Sequence, residues 1–385
     1  DAAQGSLRIQ LEDAAGLMTL ELGMPRLSEA HYNNALALSR AQGDRLWTAR
    51  SLSNLGRLAI HERDPLRAQA AIEESLAIFE ELGDRRGVLV ATTNMSLVEA
   101  DLGNFRQSAT RMQACVDGWR SMGWNVGIAV ALTYLGAVQC AMGDYKAGNA
   151  SLQEALAITR TIDAPQREVD ALINLGIAAL HQGRLVLAGK HLDRALALSQ
   201  ELGTRWSEIE AIAARSLLAE ITGEAGAEDD ARAAEAAARA IGDRLSVAVC
   251  LHVLGRAALR RGDLGAAATH IAEGLRQHVE IHNPAGVLLL IETAAELAAV
   301  NGDPETAARL FAGADGLRST LEIPRAPVYH QPTRQAVTIA RRRLGKPSFE
   351  TGWKAGRSLT IDDAAALADR YLASVTGTND PSESP

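Results

Sequence analysis

Apolar residues return along this chain at helical steps and not in alternation. In YKAGNASLQEALAITRT, residues 145–161, Ala147, Leu152, Ala155, Leu156 and Ile158 fall on one stripe, the pattern of a helix that buries one face. The preceding stretch, ALTYLGAVQCAMGD, has the same period, and no β-type alternation of any length occurs. The breaks between such segments are regular. Gly43, Gly83, Gly123 and Gly203 share one register, with Asp163 in the vacant place and Gly242 one residue early. Gly103, Gly143, Gly183, Gly223, Gly262 and Gly302 form a second series, which Arg63 and Asp64 open. A third lies inside the segments: Gly56, Ser96, Gly136, Gly176, Ser216, Gly255 and Ala295. Three interleaved series at a period of about 40 residues predict an internal repeat of antiparallel helix pairs, about eight of them between Leu7 and Thr320.

The returning motif Gly-Asp-Arg, at Gly43, Gly83 and Gly242, is explained by this punctuation. Glycine ends one helix in the left-handed region, and the following aspartate accepts free N–H groups of the next. Gly103-Asn104, Gly143-Asp144 and Gly262-Asp263 repeat the device, and Asp64-Pro65 and Asp303-Pro304 put proline at the first helical position. Glycine in mid-helix costs ~1 kcal/mol against alanine, so its return at Gly56, Gly136, Gly176 and Gly255 predicts close approach of a neighbouring helix. Leu55, Leu135, Leu175 and Leu254 precede these glycines and are expected in the core.

These positions carry a resemblance. "NLG" at 54, "YLG" at 134, "NLG" at 174 and "VLG" at 253 recur, and small residues such as Ala68, Gly148 and Ala188 follow twelve residues after the glycines. The pattern resembles tetratricopeptide repeats (TPRs), although the family's usual repeat is shorter and its first-helix tryptophan and late proline are mostly missing here. The resemblance implies an all-α fold, an α-solenoid wound as a right-handed superhelix over residues 1–320. Beyond Leu321 the period stops, and EIPRAPVYHQP is expected to be a loop. Residues 321–373 are expected to form C-terminal capping helices, the last opened by a capping box of Thr360 and Asp363, and the polar 374–385 a disordered tail. AARLFAGADGLR followed by RRRLGKPSFETGWKAGRSLTIDDAAALA resembles the C-terminal end of bacterial STAND-type ATPase regulators, through Leu310, Phe311, Leu344, Gly345, Phe349, Trp353, Gly356, Arg357 and the alanines from Ala364. That resemblance implies an ATPase and an output domain (winged helix, LuxR-type helix-turn-helix, cyclase or kinase) upstream of Asp1.

Composition narrows the chemistry. Hydrophobic residues make up 47% and aromatics 4% of the 385, so alanine and leucine must fill the core. A net charge of −8 argues against nucleic-acid binding by the chain as a whole. Cys115, Cys140 and Cys250 are few and far apart, which suits a reducing cytoplasm. No run of about 18 apolar residues suggests a membrane span, and the start, DAAQGSLRIQ, reads as the cut edge of a longer protein. P-loop, Rossmann, zincin, nucleophile-elbow and EF-hand motifs are absent, so no enzyme, cofactor or metal is expected. His278 and His282 share a helical face without an evident third ligand, and Arg341, Arg342 and Arg343 are expected on a solvated helix face.

In TPR superhelices the first helix of each pair lines the concave face. That register selects Arg50, Asn54, Arg57 and His61, then Asn94, then Asp170, Asn174, Ile177 and His181, then His252, Arg256 and Arg260. Asparagine amides and arginine forks suit an extended peptide or a carboxylate. The competing reading makes the asparagines structural ties to the neighbouring helix. None of the four lysines lies on such a helix, which disfavours a lysine carboxylate clamp. The function expected is a non-catalytic interaction or sensor arm of a bacterial signalling regulator, binding a protein, a peptide or a small-molecule inducer; the alternative is a free-standing TPR adaptor.

Overall fold

The computed structural model describes residues 2–377. Within them the chain is α-helical, apart from turns, the irregular stretch 323–326 and one 3-10 turn at Pro327–Tyr329. The first sixteen helices form eight pairs: α1 (Ala2–Glu21), α2 (Pro25–Gln42), α3 (Arg45–His61), α4 (Pro65–Leu82), α5 (Arg85–Asp101), α6 (Phe105–Met122), α7 (Asn125–Ala141), α8 (Tyr145–Thr161), α9 (Pro165–His181), α10 (Leu185–Leu202), α11 (Arg205–Thr222), α12 (Ala227–Ile241), α13 (Arg244–Arg261), α14 (Leu264–Glu280), α15 (Pro284–Asn301) and α16 (Pro304–Leu321). Three further helices follow: α17 (His330–Leu344), α18 (Lys346–Gly356) and α19 (Ile361–Thr376). The fold is an all-α solenoid. The chain divides into two compact units. Unit 1 runs to Ala178 and takes in Ala188–Ala211 and Ala237–Arg244; unit 2 holds Ala179–Leu187, Ile212–Ala236 and the chain from Leu245 on.

The turns follow the punctuation in the sequence. Gly43 and Gly83 end α2 and α4 in the left-handed region at φ 69° and 67°. Arg63 and Asp163, which stand where the series lack glycine, take the same region at φ 57° and 52°. Asp44, Asp64, Asp84, Asp144, Asp263 and Asp303 each accept a backbone N–H of the helix they open. Asn104 does not: its side chain makes no cap bond, and the expectation fails there.

Inside four of the pairs the helices touch at the glycines of the third series. A Cβ on Gly56 would come within 2.5 Å of Ile72 Cγ1, on Gly136 within 2.6 Å of Leu152 Cγ, and on Gly176 within 2.6 Å of Leu192 Cδ2, all in unit 1. In unit 2 the same Cβ on Gly255 would meet Ile271 Cγ1 at 2.9 Å. Each partner stands sixteen residues on. The small residue twelve on turns its carbonyl to the same glycine, at 3.4 Å for Ala68 and 2.8 Å for Gly148. Leu135, Leu172, Leu152, Met112 and Trp119 fill the core of unit 1 beside these contacts.

Unit 2 is built around α15, which packs on α14, α16, α17 and α19. Its 18 residues have a mean hydropathy of 1.3, long and apolar enough to cross a membrane by length and composition, a run that the sequence reading passed over. Most of α15 is buried among its neighbours, and it carries Glu292 and Glu296, both held in ion pairs. Gly356 lets α18 lie against α16, with a Cβ there only 2.8 Å from that of Ala312. Arg341, Arg342 and Arg343 are exposed as expected, and Arg343 also donates to the Ala299 carbonyl at 2.8 Å, near the end of α15. Thr360 and Asp363 form the capping box of α19. That helix continues to Thr376, so residues 374–376 belong to it and not to a tail; residues 378–385 lie outside those described.

The glycine contacts yield a contrast. Gly136→Ala gains intrinsic helix propensity but drives a methyl into Leu152 and the Gly148 carbonyl, so stability should fall by ~1–3 kcal/mol. At Gly265 in α14 the nearest atom to a new Cβ is Asp263 Oδ1 at 3.9 Å, so Gly265→Ala should be neutral or stabilising by up to ~1 kcal/mol. Urea unfolding of the two variants checks the difference in sign.

Candidate functional site

In unit 1, first helices of successive repeats turn side chains toward one another. His61 ends α3, with Arg63 in the turn after it; Asp101 ends α5; Tyr134 lies on α7; Arg167 and Asp170 lie on α9; Trp206 and Glu210 sit one turn apart on α11; Asp243 precedes α13. His61 and Trp206 meet edge to face, ring centroids 5.2 Å apart across 145 residues of chain. The α1–α2 turn also reaches the far part of the unit, since a Cβ on Gly23 would lie 3.2 Å from Ile241 Cγ2 and 3.6 Å from Arg205 Cγ. The unit thus closes enough for its early and late repeats to share one inner wall.

Two guanidiniums on that wall are matched by acids: Arg63 Nη1 donates to Asp101 Oδ1 at 2.6 Å and Arg167 Nη1 to Asp170 Oδ2 at 3.1 Å, while Arg57 Nη2 donates to the neutral Tyr32 hydroxyl at 3.1 Å. Glu210 stands apart. No hydrogen bond or ion pair to a described residue engages its carboxylate. Burial, then the nearby Asp243 and Asp170, push it up to about 7 against the pull of Arg63. Burial and the charges of Arg57, Arg63 and Arg167 hold His61 down at about 3, so its ring stays neutral. Burial first, then Asp170, raises Tyr134 to about 12. All three keep partial contact with solvent and are not sealed in a core. Such a wall offers one uncommitted acid beside aromatic rings, which suits a cationic group with an apolar stem.

The residues selected from sequence divide between the units. Of those in unit 1, Arg50 is exposed and lies over the Trp47 ring at 4.9 Å. Asn54 donates to Asp13 Oδ1 at 2.6 Å, tying α3 to α1. Asn94 is 8% exposed and donates to Ser53 Oγ at 3.4 Å. Asn94 is therefore a buried tie and not a surface group, which corrects the expectation for it. Asn174 donates to the Asp170 carbonyl of its own helix at 2.9 Å, and Ile177 packs against the core. His61, Asp170 and Arg57 join the wall of rings and acid.

The remainder fall in unit 2. His181 is held down at about 4 by burial and by Arg318. His252 is 2% exposed, with its Nε2 3.3 Å from Thr293 Oγ1, so the expectation that it meets a ligand fails. Arg256 lies between two acids, donating to Glu220 Oε2 at 3.2 Å and Glu296 Oε2 at 3.1 Å, and Arg260 also reaches Glu220. His278 is buried beneath Gly286, and His282 stands in the turn after α14 at φ 54°, so the two do not act as a surface pair.

Tyr134, Trp206 and Glu210 escaped the sequence reading. Two of them were within reach of it. One more step of forty from Asn94 arrives at Tyr134, and one from Asp170 arrives at Glu210. Trp206 had no such companion.

The tetratricopeptide-repeat family matches residues 8–81. No curated protein matches the chain. Among solved structures, a Rap protein complexed with competence and sporulation factor is similar over 72% of this chain and 76% of that one, with a TM-score of 0.62 and 16% identity. At that identity the likeness is one of fold. The family match covers one stretch of the chain, and the likeness of fold extends over most of it.

Glu210 makes stability depend on pH. Its value of about 7 lies above the ordinary 4.5, so the native state holds the proton more tightly between those values, and stability falls as pH rises through that window. Glu210→Gln removes this loss. The variant should match wild type near pH 4.5 and exceed it above pH 7 by ~1–3 kcal/mol, after discount for solvent contact. Thermal melts across the range check the divergence.

Proposed function

We propose that the chain is the non-catalytic recognition arm of a signalling regulator, and that the inner wall of unit 1 binds an extended segment of a partner protein or peptide, or a small inducer, through a cationic group. The observation that carries this reading is the unpaired Glu210 carboxylate beside His61, Trp206 and Tyr134, in a lining that solvent still reaches. Arg63 and Arg167 already have acids, so an incoming lysine, arginine or amino terminus finds one charge left to meet. The rings cover its stem. The Rap protein solved with competence and sporulation factor supports recognition of a factor by an array of this fold. The C-terminal resemblance to STAND-type regulators supports an attached bacterial ATPase that works in the cytoplasm. Binding would bias that ATPase by differential affinity for its two states.

Peptides selected by phage display against the immobilised chain at pH 8 give the test. Their sequences should be enriched in lysine or arginine. Glu210→Gln and Trp206→Ala should each weaken binding, measured by fluorescence anisotropy, about tenfold, equivalent to ~1.4 kcal/mol. Wild-type affinity should also fall between pH 8 and 6, as Glu210 gains its proton. Peptides that bind both variants as tightly as wild type would defeat the reading.

A further inference from the structure

A different surface, in unit 2, is occupied by the chain itself. After α16 the segment Glu322–Tyr329 runs without regular structure through Ile323–Ala326, with Ala326 extended at φ −61° and ψ 137°. It lies against α13, from which the sequence selects His252, Arg256 and Arg260, and against α15. Three of its side chains turn inward. Ile323 is 3% exposed and Tyr329 6%, whereas Glu322, Pro324 and Pro327 face solvent. The third is Arg325, which donates from Nη2 and Nε to Glu292 Oε1 on α15 at 2.8 and 3.1 Å. The Tyr329 ring centroid is 5.9 Å from the Arg256 guanidinium carbon on α13 and 6.3 Å from the His252 ring.

The polar anchors add to ion pairs that are already made without the segment. Glu292 already receives a two-pronged pair from Arg318 on α16, at 2.6 and 3.0 Å. Arg256 is already held between Glu220 and Glu296. Arg325 adds a second cation to a neutralised acid, and Tyr329 adds a ring over a neutralised cation. The segment's own backbone bonds stay local, Ile323 N–H to the Arg318 carbonyl and Tyr329 N–H to the Ala326 carbonyl. Side chains hold it to α13 and α15, as they would hold a separate extended peptide.

We propose that this face of unit 2 is a second recognition surface, that it takes an extended partner segment carrying an arginine and, four positions on, an aromatic residue, and that residues 322–329 hold the place until such a segment displaces them. The chemistry is on the face: the Glu292 carboxylate for the arginine and the Arg256 guanidinium for the ring.

The probe is a fluorescein-labelled synthetic peptide with the sequence of residues 321–331, read by anisotropy against the full chain. Wild type should bind it weakly because the face is filled. Arg325→Ala with Tyr329→Ala should empty the face and bind it at least tenfold more tightly. A peptide lacking both the arginine and the tyrosine should bind neither protein. Tyr329→Phe keeps the ring and should behave as wild type. A folded double variant that binds no better than wild type would overturn the proposal. Should that variant lose its cooperative melt, Arg325→Ala alone carries the same comparison, and loss of folding there as well would make the segment part of the core and end the proposal. A concentration-dependent dimer of wild type in sedimentation, dissociated by the double variant, would assign the face to exchange between copies and equally overturn a partner segment.

Discussion

Four of the eight helix pairs depend on one close contact, where a glycine in the first helix meets a branched side chain in the second. Ile72, Leu152, Leu192 and Ile271 each press into the space that a Cβ would fill at Gly56, Gly136, Gly176 and Gly255. The contact fixes how near the two helices of a pair lie, and the capped turns fix where each begins and ends. Because turns and contact recur about every forty residues, a given phase of the repeat falls on the same side of each first helix. A surface then forms from residues far apart in sequence without any of them being neighbours in the chain. His61 and Trp206 meet for this reason.

That construction also governs the electrostatics. A wall lined by first helices collects whatever charges stand at its phase, and partial burial makes an unmatched one costly. In unit 1 the guanidiniums of Arg63 and Arg167 are matched by Asp101 and Asp170, and Glu210 is the surplus. In unit 2 the acids Glu220, Glu292 and Glu296 are matched by Arg256, Arg260 and Arg318, and the surplus partner is Arg325 from the chain's own extended segment, which also reaches Asp315. The first surplus is an acid open to a ligand. The second is a cation that a ligand could replace.

The helices and their pairing were legible because turn chemistry and close packing are local demands repeated many times, so Arg63 and Asp163 could be recognised as glycine substitutes from their places alone. Single caps were less secure: Asn104 has the right residue type and makes no bond. The site was legible in phase but not in detail. Asn54, Asn94 and His252 lie in the selected register, yet their amides and ring turn to neighbouring helices, a choice of rotamer and partner that spacing does not encode. The His61–Trp206 meeting depends on how far unit 1 curves, which accumulates over several repeats. The repeat selected His252 and Arg256 on the face, but the segment 322–329 lies outside the period, so nothing in the repeat showed that the chain itself covers them.

The central claim is that Glu210 and the rings around it form one uncommitted, titrating wall. Fluorine NMR of the chain labelled with 5-fluorotryptophan tests it most directly, with the Trp206 signal identified by its absence in Trp206→Phe. The account predicts that this signal shifts with pH at a midpoint near 7, the value to which Glu210 is raised, and that the shift vanishes in Glu210→Gln. A Trp206 signal that does not titrate in this range, or one that titrates unchanged in Glu210→Gln, would contradict it.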